Sequence, residues 1–282
     1  MKNRNQFHVV SALVIVAVAM GIIAVTNREE TITGRPVLAA SVNQTKQAKS
    51  AAVKVSPTEV AIRTAAARKR YIFVTFYKKG DAASNKMLAV IKSVQGKLSS
   101  KANFAIADVA NPIHQRLVKR YGVNSASIPL TLVLAPNGAV TAGFPKEIKS
   151  TDFSDVFVSD GLANVLKVLQ DGKLAAVCIQ GAKTKFNKES LAAAEGLKTD
   201  SRLSGNVGVV RIDPTDHRES KFLQQCKINS GSANSQIMII IPPGRVIGTF
   251  DGNTTKDKLM AGLQSAMSSC GSGGCGPSGC GP

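Results

Sequence analysis

The 282-residue sequence has no tryptophan, only three tyrosines and three histidines, and half as many acidic as basic side chains. Aromatic residues make up 5 % of the chain, so its cores must be built from Val, Ile, Leu and Ala. The aromatic-basic stacking surface of an RNA-reading sheet and the ligand spacing of a zinc finger are both missing, so nucleic acid is not an expected partner. His8 falls at the N-terminal apolar run, which leaves His114 and His217 for acid–base chemistry, and both sit at helix or helix-start positions expected to face solvent. No Ser-His-Asp set, phosphate-binding Gly loop or metalloprotease motif occurs. The shortage of acid leaves a formal net charge of +18. Because Lys and Arg are scattered over every segment, that charge reads as a solvated basic surface near an anionic membrane. What is present is ample apolar material: 44 % hydrophobic against 19 % charged residues, over a length that suits one large domain or two ordinary ones.

Lys2 and Arg4 precede an apolar run from Val9 to Val25, broken only by Ser11 and Gly21, which is about the length of a membrane-spanning helix. The residues just after it, Thr26 to Glu30, lack a small-x-small cleavage pattern, and Val37-Leu38-Ala39 lies too far from the apolar run. No Cys follows the run to carry a lipid. The expectation is an uncleaved anchor over residues 1–26, with a cleaved signal peptide as the alternative. The bulk of the chain is then extracytoplasmic, in the periplasm or at the cell surface. Residues 27–55 are polar and too poor in large hydrophobics to offset their ordering entropy, and read as a flexible linker.

Order is expected from Ser56-Pro57-Thr58-Glu59, a capping box with Pro at the first helical position. An Ala-rich helix ends near Arg70, and Tyr71 to Phe76 reads as a buried strand. A helix with Met87, Leu88, Ile91, Val94 and Leu98 on one face follows, then a strand from Asn103 to Val109. A short helix stops at Gly122, and a hairpin turns at Pro136-Asn137-Gly138. The second half repeats this order: strand 173–180, helix 188–197, strand 207–213, and a hairpin about Pro242-Pro243-Gly244. Residues 108–127 align without a gap to 213–232, pairing Asp108 with Asp213, Asn124 with Asn229 and Leu117 with Phe222. Duplication of one unit accounts for both the match and the order of elements. The units are placed at 56–171 and 172–268.

The first unit resembles thioredoxin in its strand YIFVTFY, the D-x-x-N-P segment at Asp108 to Pro112, Tyr121-Gly122-Val123, and SIPLTLVLAPNG. The resemblance implies an α/β fold of two tandem thioredoxin-like domains, each a mixed sheet flanked by helices. It implies a cis bond at Ile128-Pro129, in a loop facing the family's active site. It also shows what is missing. The two cysteine positions of the family's C-x-x-C fall on Asp81 and Ser84, and in the second unit on the stretch Thr184 to Asn187. The cis-proline position of that unit falls among Asn234, Ser235 and Gln236. Asp81, Ser84, Ile128 and Pro129 are therefore expected to form a binding face, with Asp81 as an acidic helix-start residue.

Five cysteines remain. Cys178 and Cys226 are expected as small buried hydrophobes, with a disulfide between them as the sharper alternative in an oxidising compartment. Cys270, Cys275 and Cys280 recur every five residues in the Gly, Ser and Pro tail 269–282. Such thiols suit a soft ion, Cu(I) or Zn²⁺, or a mobile arm that exchanges disulfides. Two functions follow. One is a membrane-tethered scaffold that docks a protein client or a membrane complex. The other is thiol-redox or metal delivery through the tail, in which case the protein is an enzyme only as a thiol-disulfide oxidoreductase.

Overall fold

A computed structural model of the protein describes residues 55–268, apart from 154 and 204. The expected anchor, most of the linker and the three-cysteine tail lie outside these residues. Among the described residues no helix is long and apolar enough to cross a membrane.

Ser56 opens helix α1 (Pro57–Ala67) through the expected capping box: its side chain accepts from the Glu59 amide at 3.1 Å, and the Glu59 carboxylate accepts from the Ser56 amide at 3.0 Å. Strand β1 (Tyr71–Tyr77) then runs down the middle of the first sheet. Helix α2 (Ala82–Leu98), strand β2 (Ala102–Asp108), helix α3 (Gln115–Arg120), and strands β3 (Leu130–Leu134) and β4 (Val140–Pro145) follow. The sheet order is β2-β1-β3-β4, with β2 parallel to β1, and β3 antiparallel to both β1 and β4. A central strand covered on both faces must be apolar throughout, which is why β1 does not alternate with polar residues. Ile72, Val74 and Phe76 point toward α1 and α3, where Ala65, Leu117 and Val118 meet them. Phe73 points the other way, onto Met87, Ile91 and Val94 of α2.

The second unit repeats this plan from helix α4 (Asp160–Gln170), which lies before the start at 172 expected for this unit but takes the place of α1: strand β5 (Leu174–Ile179), helix α5 (Asn187–Lys198), strand β6 (Val207–Ile212), helix α6 (Ser220–Gln225), strands β7 (Gln236–Ile241) and β8 (Arg245–Asp251), and helix α7 (Lys256–Ser268) follow. Its sheet order is β6-β5-β7-β8, with the same parallel and antiparallel pairings. The aligned stretch superimposes in detail. Asp108 and Asp213 each accept from the amide two residues on, and Asn111 and Asp216 each cap a short 3-10 helix that runs into α3 or α6. This sheet topology, with a helix crossing over between the parallel strands and helices on both faces, is thioredoxin-like in both copies.

The units differ in how the α2-side face is closed. In the second unit α7 covers it, through Leu259 and Leu263 packed with Cys178 and Leu197. In the first unit a 3-10 helix, Ser150–Phe153, and the residues after it lie there. Phe153 and Phe157 close the face, with ring centroids 5.6 and 6.3 Å from Phe73, and the Tyr71 hydroxyl pins the segment by donating to the Val158 carbonyl and accepting from its amide.

Helix α4 packs on both units. Val165 and Leu169 enter the second core, while Ala163 and Leu166 meet Ala135 and Ala139 of the β3–β4 hairpin. The Gln170 amide also pairs with the backbone of Val140, accepting from its N–H at 2.9 Å and donating to its carbonyl at 2.7 Å.

The sequence reading assigns no element to 160–170 or 256–268, and both are helices. Each has a glycine where a neighbouring side chain comes close. A Cβ on Gly262 would lie 2.5 Å from the Phe250 ring, and one on Gly161 would lie 2.6–2.8 Å from the Glu219 carboxylate. That buried carboxylate accepts from the Gly161 amide at 2.9 Å and from the Ser159 hydroxyl at 2.6 Å, neutralising the start of α4. On helix propensity alone Gly161→Ala should stabilise by about 1 kcal/mol. With the carboxylate in the way it is expected to destabilise by about 2–3 kcal/mol, read by urea unfolding. A stabilised variant would refute the arrangement.

Candidate functional site

Phe76, near the end of β1, pairs with Leu130, the first residue of β3. The loop Lys78–Asp81 and the Ile128-Pro129 bond therefore meet at one end of the sheet. The Ile128-Pro129 bond is cis, as the resemblance implies. Pro129 is buried and Ile128 half-buried, and the Pro129 carbonyl accepts from the Lys146 amide at 2.7 Å.

Asp81 is the N-cap of α2, the acidic helix-start residue that was expected. Its carboxylate accepts from the Ser84 amide at 2.7 Å, and hydrogen bonds to Ser84 hold its pKa below the usual carboxylate value. Ser84 is fully buried, and its hydroxyl accepts from the Lys78 amide at 3.1 Å. Both side chains, at the positions where the resemblance leads one to expect cysteines, are thus spent on fixing the start of the helix and the loop before it. Beneath them lie the paired hydroxyls of Thr75 and Thr131, 3.0 Å apart, the latter 3.1 Å from the Met87 sulfur. Around the face Lys78, Lys79 and Lys146 are exposed. The loops that meet here carry these three lysines, the acidic Asp81 and Glu147, the half-buried Ile128 and no cysteine.

In the second unit the loop between strand and helix is longer, residues 180–186 against 78–81. Ser190 is the first fully buried side chain of α5, as Ser84 is of α2. Matching these serines places Asn187 and Ser190 at the cysteine positions, three residues beyond the start of the stretch expected from sequence, because of that longer loop. Ser235 stands where the first unit has Pro129, immediately before the β-strand, and its hydroxyl meets that of Ser190. The second cis proline bond, Pro242-Pro243, lies elsewhere, in the β7–β8 hairpin.

Cys178 and Cys226 are both free, and the alternative of a disulfide between them is corrected by their placement. Cys178 packs with Leu197 and Leu259 on one face of the second sheet, whereas Cys226 packs against the opposite core of Phe222 and Ile240. Burial pushes the Cys178 thiol up to about 12 and the Cys226 thiol up to about 11. Neither is a nucleophile near neutral pH. Cys226 lines a space of about 70 Å³ between the units, too small for an organic cofactor, beside a crevice of about 340 Å³.

His217 is exposed as expected, but His114 is not: it is 9 % exposed, and its Nδ1 has no hydrogen-bond partner. The 3-10 turn after Asn111 rolls the imidazole under α1. Burial holds its pKa below the ordinary value, against the pull of Asp108 and Glu59. Among the described residues no group of three or more His, Cys, Asp or Glu could hold a metal ion. Cys270, Cys275 and Cys280 lie outside them.

The position that sequence reasoning missed is Phe186. It occupies the left-handed backbone region, φ 62°, directly before α5, and its ring is exposed. The expected cost for a bulky residue there is roughly 1–3 kcal/mol. A cue is legible in hindsight: four residues before the matched serines stand Gly80, φ 82°, in the first unit and Phe186 in the second.

No family model matches the chain, and no curated protein does. Among solved structures, the germline thioredoxin Deadhead of Drosophila melanogaster is 28 % identical over 31 % of this chain and 79 % of its own, with a TM-score of 0.27. The first two thioredoxin domains of Saccharomyces cerevisiae Eps1p are 14 % identical over 74 % and 96 %, with a TM-score of 0.25. Human ERp44 is 12 % identical over 73 % and 55 %, with a TM-score of 0.31. The strand order of the two sheets, and not these superpositions, carries the fold assignment.

Two outcomes are expected. With Cys226 and the tail cysteines replaced by Ser, Cys178 stays unreactive to a chromogenic disulfide reagent at pH 8 until the chain is unfolded, and rapid labelling of the native protein would contradict its burial. Because His114 has a lowered folded pKa, the unfolded chain takes up its proton first. Stability is therefore unaffected by this group well above pH 6.5 and falls as pH drops through about 6.5. Thermal melts between pH 8 and 5 should show that fall, and His114→Asn should flatten it.

Proposed function

We propose that the protein is a membrane-tethered, extracytoplasmic binding or assembly module that docks a protein client and performs no dithiol exchange at its helix starts. One observation supports this most: Asp81 and Ser84 are consumed in capping α2 and fixing its loop, while the adjoining Ile128-Pro129 face keeps a half-buried apolar side chain inside a lysine rim. A surface of that chemistry suits an apolar protein segment flanked by acidic residues. The tether would be the apolar run 9–25, with the bulk of the chain in the periplasm or at the cell surface. Nucleic acid is not the intended partner.

A second reading rests on a different feature. Cys270, Cys275 and Cys280 at regular spacing would supply thiols that the domains lack, for disulfide exchange or for delivery of Cu(I) or Zn²⁺.

The two separate in one experiment. A photo-crosslinking amino acid replaces Ile128 in the full-length chain, with and without Cys→Ser substitution of the three tail cysteines. Docking predicts a discrete protein adduct that persists without the tail thiols and weakens several-fold when Lys78, Lys79 and Lys146 become Glu. Absence of an adduct, together with bound copper or zinc or an exchangeable disulfide that disappears on tail substitution, would transfer the function to the tail.

A further inference from the structure

Charge in the first unit is divided between the two ends of its sheet. No acidic residue occurs between residues 60 and 80 or between 82 and 107. Four acids gather at the end where Phe76 meets Leu130: Glu59 at the start of α1, Asp81 capping α2, Asp108 closing β2, and Glu147 after β4. Of the other two, Asp152 accepts from the Lys149 amide at 2.8 Å and Asp155 pairs with Lys221 at 3.0 Å. The opposite end, where β1 and β2 begin side by side at Tyr71 and Ala102, is basic. Arg68, Lys69 and Arg70 join α1 to β1, Lys97 lies in the last turn of α2, and Lys101 directly precedes β2. The fold brings these two junctions together. The Arg70 guanidinium donates to the Ser99 and Ala102 carbonyls, the latter at 3.0 Å, and the Tyr71 amide donates to the Lys101 carbonyl at 3.3 Å. Arg68, Lys69, Lys97 and Lys101 are exposed, and among the described residues none of the five forms an ion pair. From the second unit Asp160 faces this end beside Tyr71, but Arg218 holds it at 3.1 Å, while Lys167 and Asp171 of α4 pair with each other.

We propose that this basic end of the first unit lies against anionic phospholipid headgroups of the membrane, so that the Ile128-Pro129 face points away from the bilayer. The inference rests on the membrane tether proposed above and adds to it a surface and an orientation. Each basic side chain close to an anionic bilayer strengthens association by roughly fivefold, so five on one blunt end hold a tethered domain in one attitude. No exposed aromatic ring lies among them to stack a base, which favours headgroup phosphates over nucleic acid. Residues 27–55, between the apolar run and α1, can span roughly 95 Å when extended, against about 17 Å for the length of α1. The anchor therefore does not force the start of α1, at the acidic end, onto the membrane.

The test places the full-length chain in nanodiscs of phosphatidylcholine, alone or mixed with phosphatidylglycerol, and follows acetylation of each lysine by mass spectrometry. In the anionic discs Lys69, Lys97 and Lys101 are expected to react at least about threefold more slowly than in the neutral ones, and ~0.5 M salt should abolish the difference. Lys78, Lys79 and Lys146, at the other end of the sheet, should react alike in both. Arg68→Glu with Lys97→Glu should remove the protection of Lys69 and Lys101 at an unchanged melting temperature. Equal rates in the two kinds of disc, or protection of Lys78, Lys79 and Lys146 in place of the three, would overturn the proposal and leave the tether standing. Failure of the chain to enter discs of either kind would sink the tether and the orientation together. Protection of the same lysines by a short DNA duplex, with none from phosphatidylglycerol, would overturn it in favour of nucleic acid.

Discussion

Among the described residues, helix α4 packs on both units and ties the two sheets together. Helix α4 is the N-terminal helix of the second unit by its place in the repeat, yet its Ala163, Leu166 and Gln170 hold the β3–β4 hairpin of the first. Its own N-terminus is fixed by the buried Glu219 carboxylate, which reaches the Gly161 amide and the Ser159 hydroxyl from the 3-10 helix below. A buried carboxylate is tolerated only when hydrogen-bonded, and helix-start amides need an acceptor, so each group satisfies the other. Gly161 follows from that closeness, since any side chain there would occupy the space of the carboxylate. The relation between the units thus rests on a contact between residues far apart in sequence.

The duplicated scaffold meets the same physical requirement twice with different residues. At the first helix of each unit an acceptor must sit on the free amides. The first unit supplies it from within the helix, through Glu59, which also pairs with Arg116 at 3.0 Å. The second supplies it from the 3-10 helix, through Glu219. There the position corresponding to Glu219 in the first unit is His114, which is left buried with an unpartnered Nδ1. The α2-side face is closed by Phe153 and Phe157 in one unit and by α7 in the other. The turn before the second helix uses Gly80 in one and Phe186 in the other. The backbone plan survives these exchanges because the strand pairings and the two covered sheet faces do not change.

The same accounting bears on chemistry. A thioredoxin-like sheet end becomes reactive when a thiolate stands at the helix start, stabilised by the helix amides. Asp81 caps the α2 start and uses the amides itself, while Cys178 is buried in a core and Cys226 is partly buried, both with raised pKa values. What the loops at these sheet ends carry is exposed lysine, Lys78, Lys79 and Lys146 in one unit and Lys183, Lys185 and Lys188 in the other.

Much of this was legible in the sequence where the cause is local. The capping box at Ser56, the buried run of β1, the Asn137-Gly138 turn and the gapless match of 108–127 with 213–232 each depend on neighbouring residues, and each is found as expected. The cis bond at Pro129 was implied by resemblance, and the burial of Cys178 followed from its apolar surroundings, whereas Cys226, expected to be buried as well, is only partly so. The sequence was silent where distant residues decide. The helix over 160–170 goes unassigned, and the reason for Gly161 lies in the nearby Glu219 carboxylate. His114 reads as solvated until α1 covers it. A disulfide between Cys178 and Cys226 stays open until the sheet separates them. Composition, periodicity and capping chemistry determined which elements form and in what order. Tertiary structure alone decided which polar groups are buried together and which side chains are left outside, because those depend on contacts between residues distant in the chain.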